Sequence, residues 1–178
     1  MATLAQFVAE WQNFYMLLGG AAATLAGLLF VALSIDATAI HRPGSGHLQG
    51  LARVSFTGFL NLLFIALIMI APHMPIEVIA MELAAVGAVL AWGTLRAWFA
   101  GRATLTADDA RKDIARSYLQ TTVCGLGLIA VSLLLFRGQY RALYWLLAPT
   151  AGLLMTAARN AWLLLKLLGA RSAKNTEI

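Results

Sequence analysis

Cysteine is nearly absent. The 178 residues include one, Cys124, so no intramolecular disulfide can form, and its place inside an apolar run predicts packing rather than redox chemistry. Histidine is almost as scarce, at three. His41 and His47 fall in one polar connection and His73 in another. None sits where a helix would project an axial ligand into a bundle, so a haem site is not expected. His41 and His47 with Asp36 lack any metal-ligand spacing. There is no Walker loop, no HExxH helix and no GxSxG elbow. Ser34, Ser55 and Ser132 lie on apolar runs that hold no histidine. The expectation is a protein that is not an enzyme, with no catalytic residue, no metal and no cofactor.

Charge is the second shortage. Asp, Glu, Lys and Arg make up 12% of the chain and hydrophobic residues 61%, where soluble domains carry about 25% and about 45–50%. Whole runs hold no charge, so the apolar excess forms spans rather than one globular core. What charge remains is basic, +5 with an isoelectric point near 9.9. Nucleic acid would need those bases on a water-exposed face. Here they sit in short connections, where lysine and arginine set membrane topology, so no nucleic-acid partner is expected. The first ten residues contain no Lys or Arg, and the first apolar run is full length. It reads as a retained span, not a cleavable signal peptide.

What is present is five apolar runs of about 20 residues, the length that crosses about 30 Å of hydrocarbon. They predict spans at 11–35, 51–71, 76–99, 118–136 and 142–165 in a single all-α membrane bundle over 1–170, with a polar tail at 171–178. Pro72-His73-Met74-Pro75 predicts a tight hairpin between spans two and three, and Arg137-Gly138-Gln139-Tyr140-Arg141 another between spans four and five. Thr106-Ala107-Asp108-Asp109 reads as a helix start, with Thr106 capping and the acids favoured by the helix dipole, so the fourth helix is expected from near Ala107. The connection holding Pro43-Gly44-Ser45-Gly46 is expected to be irregular.

Basic residues orient the bundle. With the N-terminus outside and the C-terminus inside, eleven of the thirteen fall on the cytoplasmic side, leaving Arg137 and Arg141 outside, as the positive-inside rule requires. Aromatic residues agree. Trp11, Phe14, Tyr15, Tyr140, Tyr144 and Trp145 mark the outer level, and Trp98, Tyr118 and Trp162 the inner, because such rings favour the headgroup layer.

Two small-residue patterns predict helix packing, which in lipid depends on close backbone approach. Gly19, Ala23 and Gly27 repeat every four residues in span one, widened by Ala22 and Ala26; Ala80, Ala84 and Ala88 do the same in span three. Polar residues at membrane depth are costly and therefore informative. Asn61, in the middle of span two, predicts an interhelical hydrogen bond, with an ion or solute path as the alternative. Glu82 predicts an external network with Glu77, Arg137 and Arg141, or else a proton- or cation-binding carboxylate. Asp36 and Arg159 lie at comparable depth and predict a pair joining the first helix to the last, unless Arg159 snorkels to the headgroups.

Two blocks carry a family likeness. One is Trp11-Gln12-Asn13-Phe14-Tyr15 running into Gly19-Gly20-Ala21-Ala22-Ala23-Thr24-Leu25-Ala26-Gly27-Leu28-Leu29-Phe30-Val31-Ala32-Leu33-Ser34-Ile35. The other is Leu143-Tyr144-Trp145-Leu146-Leu147-Ala148-Pro149 with Asn160-Ala161-Trp162-Leu163-Leu164-Leu165. With the five-span pattern, the chain resembles a family of uncharacterised bacterial integral membrane proteins, some labelled modulators of the membrane protease FtsH. The resemblance implies a bacterial cytoplasmic (inner) membrane protein with no catalytic residues. Members often carry an acid where this chain has Asn160. The expected function is an accessory or scaffold protein that packs, in the lipid bilayer, against another membrane protein or a second copy. The alternative is a homo-oligomeric channel or small-solute transporter with Asn61, Thr24 or Glu82 near its path; five spans give no two equal inverted halves.

Overall fold

In hydrocarbon the backbone finds no water, so each apolar run must close its own hydrogen bonds as a helix. The computed structural model describes residues 4–35, 46–101 and 108–176, with side chains described at 11–35, 48–96, 99 and 115–169. Its elements are α1 (Leu4–Ile35), α2 (Gly46–Ile70), α3 (Ile76–Gly101), α4 (Asp108–Phe136), a 3-10 segment (Tyr140–Leu146) and α5 (Leu147–Thr176). Every α-helix contains a stretch long and apolar enough to span a membrane: Trp11–Ile35, Leu48–Ile70, Ile76–Arg96, Ala115–Phe136 and, with the 3-10 segment, Tyr140–Gly169. The protein is an all-α, multi-pass membrane helix bundle.

The turns follow from a few residues. After α2, Pro72 supplies no N–H to continue the helix, and His73 takes a positive φ of 57°. Pro75 stands just before α3, and its carbonyl accepts from the amides of Val78 and Ile79, each at 3.1 Å. Gly138, at φ 77°, closes α4. The Gln139 amide reaches back to the Leu134 carbonyl at 3.1 Å and the Gly138 amide to Leu135 at 2.9 Å, a Schellman ending that needs a residue free to be left-handed.

One stretch differs from expectation. The first residues of the fifth predicted span are 3-10, and α-helix begins at Leu147. Pro149 accounts for this. A proline fits the first turn of a helix, but one turn deeper its ring would collide with the carbonyl of Trp145 and leave that acceptor unbonded.

Spatial order departs from chain order. Contacts run α1–α2–α5–α4–α3, and the chain neighbours α2 and α3 touch little. The last helix therefore sits between two antiparallel pairs. Each neighbouring pair meets at a small residue. A methyl group added at Gly19 would lie 2.9 Å from Ala66 Cβ, one at Gly58 3.0 Å from Ala157 Cβ, and one at Gly152 2.8 Å from Cys124 Sγ. The tightest approach is backbone to backbone between α3 and α4. A methyl at Gly87 would stand 2.6 Å from the Gly125 carbonyl oxygen. Tyr15, Leu62, Ile65, Leu83, Leu128 and Leu153 fill the interior around these contacts.

Candidate functional site

Three places in the bundle depart from plain apolar packing: a polar cluster between α4 and α5, a groove between α2 and α3, and the outer face of α1. Ser117 and Thr121 are one turn apart on the buried side of α4, and Thr121 donates to the Ser117 carbonyl at 2.9 Å. Ser117 Oγ donates to Asn160 Oδ1 at 2.7 Å and accepts from Arg159 Nη2 at 3.0 Å. The hydroxyl thus joins two consecutive residues of α5 to α4. A cation at the head of such a chain strengthens the bond behind it. Two buried donors, Arg159 Nε and Asn160 Nδ2, have no partner among the described residues. Asp36, expected to pair with Arg159, lies outside the described residues, as do the Thr106 cap, His41 and His47.

The groove opens where α2 and α3 diverge from their hairpin. Its cavity of about 580 Å³ is lined by Arg53 and Thr57 of α2, Trp92 and Arg96 of α3, and Tyr118 and Thr121 of α4, among others. Arg53 and Arg96 stand 20 and 23 residues from His73 on opposite sides of the turn, so two straight helices bring them to one level. Arg96 lies 5.7 Å from the centre of the Trp92 ring. On α5, Lys166 stands 5.5 Å from the Trp162 ring. Cation and indole side by side suit a headgroup layer. The two carboxylates whose side chains are described, Glu77 and Glu82, stand at the opposite end of α3, both exposed, and neither is ion-paired among the described residues.

The remaining sequence candidates fall as follows. Asn61 is half-buried, and its Nδ2 donates to the Thr57 carbonyl of its own helix at 2.7 Å. Gly19 packs on Ala66, whereas Ala23 and Gly27 are exposed; a methyl at Gly20 or Gly27 would meet nothing within 4 Å. Ala80 is buried and its carbonyl accepts a hydrogen bond from Ser132 Oγ. Ala84 is half-buried and Ala88 exposed. At the hairpin end, Trp11 meets Tyr144 edge-on at 5.9 Å and Phe14 at 5.4 Å, tying α1 to the 3-10 segment. Cys124 is buried with a free thiol, and no group of three metal-ligating residues occurs among the described residues.

Sequence reasoning missed Ser117, Thr94 and the groove itself. Arg53 and Arg96 counted only toward topology, although their similar distances from the Pro72–Pro75 turn, 20 and 23 residues from His73, were a readable sign that they would come to nearby levels. No family model, curated protein or solved structure matches the chain.

Proposed function

We propose that this chain is an accessory protein of a bacterial inner membrane that packs against another membrane protein. The observation that carries this reading is the outer face of α1. One side of the helix, through Tyr15, Leu18, Ala22, Ala26 and Leu29, is buried. The other presents Gly20, Ala23, Thr24 and Gly27 uncovered, with open space at both glycines. In lipid, apolar area gives no drive for association, so a face that lets a second backbone approach closely is the kind of surface a partner helix uses. A membrane protease of the FtsH type is the partner class that the family resemblance implies.

The test is gentle detergent extraction from the native membrane, followed by the mass and composition of the complex, for the natural chain and for Gly20→Leu with Gly27→Leu. Other proteins that co-purify with the natural chain and are lost from the variant, at unchanged thermal stability, support the proposal. A lone monomer, or a partner indifferent to the substitutions, overturns it. A symmetric ring of this chain alone also overturns it and favours the channel reading.

A further inference from the structure

We propose that the groove between α2 and α3 is a binding site for one anionic phospholipid, with Arg53 and Arg96 holding its phosphate. This goes beyond the accessory role and does not depend on it.

Four observations converge on that ligand. The first is charge. Both arginines line one cavity, and the two carboxylates whose side chains are described, Glu77 and Glu82, lie at the other end of α3. Guanidinium groups bind phosphate oxygens in pairs, and basic pockets between membrane helices are recognised sites for acidic headgroups. The second is depth. Arg53 is five residues inside the α2 span that begins at Leu48, about 8 Å along the helix axis, and Arg96 ends the α3 span. The pair therefore sits where a headgroup phosphate meets the acyl region, with Thr57 and Tyr118 offering further hydroxyl donors.

The third is shape. The cavity of about 580 Å³ is within the range of ligand pockets, about 300–1,000 Å³. Beside the arginines it is walled by Val54, Gly58, Val89 and Leu90, which suit a hydrocarbon chain. The fourth is access. Val89 and Trp92 are 61% and 63% exposed, so the groove opens sideways to the membrane. A free phosphate ion would satisfy the arginines and leave the apolar wall empty. A lipid satisfies both.

Gly93 provides a test that spares the fold. It lines the groove, and a methyl added there meets nothing within 4 Å, so Gly93→Leu adds a branched side chain at the groove wall without displacing a helix. Protein stripped of lipid in neutral detergent would be titrated with phosphatidylglycerol, phosphatidylcholine and inorganic phosphate, with retained lipid read by native mass spectrometry. The expected result is one phosphatidylglycerol retained in preference to phosphatidylcholine. Binding should weaken roughly thirtyfold in the Arg53→Ala, Arg96→Ala double variant, about fivefold per basic contact. It should be lost in Gly93→Leu at an unchanged thermal midpoint. Equal retention of the two lipids overturns the proposal, as does phosphatidylglycerol binding that survives Gly93→Leu. Inorganic phosphate that binds while no lipid is retained identifies a free-anion site and also overturns it. Should the double arginine variant fail to fold, the Gly93→Leu and lipid-preference results decide alone.

Discussion

The two antiparallel pairs that flank α5 are built differently. Between α3 and α4 the backbones touch at Gly87 and Gly125, and hydrogen bonds cross on either side. Ser132 bonds the Ala80 carbonyl at one level, and the Thr94 and Thr122 hydroxyls stand 2.7 Å apart at another. Between α1 and α2 the contact is apolar, with Gly19 against Ala66 as its tightest point. The span hydroxyls of α1, Thr24 and Ser34, bond carbonyls of α1 itself. One pair is closed by close backbone approach and by hydrogen bonds between its helices, the two contacts that join helices in lipid. The other leaves half of its outer helix open. The difference separates the part of the molecule committed to its own fold from the part left for something else.

Substitutions can break or sharpen that contrast. The largest effect is expected at Gly87→Ala. Its methyl would stand 2.6 Å from the Gly125 carbonyl oxygen, which is backbone, and 2.9 Å from Ile129 Cγ1; the cost should be about 2–3 kcal/mol, read as a lower thermal midpoint in micelles. Gly19→Ala, facing a side-chain methyl rather than backbone, should cost about 1 kcal/mol. Ala66→Gly in the same chain should recover most of that loss, so a failed rescue would count against the packing described for α1. Thr94→Val should cost about 0.6 kcal/mol, the usual worth of a hydroxyl pair between membrane helices. A double-mutant cycle with Thr122→Val that shows no coupling would refute the pair. The smallest effect, with the opposite sign, belongs to Gly27→Ala. Its methyl meets nothing, and alanine is the better helix former, so stability should be unchanged or rise by up to about 0.5 kcal/mol. The same change eight residues apart on one helix then destabilises or stabilises according to which face it occupies.

Span number and the two short turns were legible from run lengths and from Pro72, Pro75 and Gly138, because membrane thickness and backbone closure act on sequence directly; the tight hairpin expected of spans two and three is not formed, since α2 and α3 touch little beyond their turn. The buried faces were not. In lipid the inward and outward sides of a helix are both apolar, so no polar face marks the orientation. Four-residue spacing also drifts about 40° per step around a helix. Gly19, Ala23 and Gly27 therefore rotate away from the interface, as do Ala80, Ala84 and Ala88, whose burial fades in that order. The contact line on α3 runs through Ala80, Gly87 and Thr94. A seven-residue spacing drifts only about 20°, and that period holds a neighbour. The Ser117 cluster was half legible: Arg159 is marked by its depth in an apolar run, while nothing in the sequence sets its partner Ser117 apart from other serines near helix ends.

The position of α5 bears on how the molecule is made. Translation delivers α1 with α2 and then α3 with α4, two hairpins whose nearest chain neighbours, α2 and α3, touch little. Until residues 147–176 enter the membrane, the surfaces of α2 and α4 that meet α5 have only lipid against them. The last helix is the wedge between the pairs, and the bundle closes only after the final span has inserted. A chain stopped before Leu147 would leave two separate hairpins, and the Ser117 hydroxyl would wait for a guanidinium and an amide not yet synthesised.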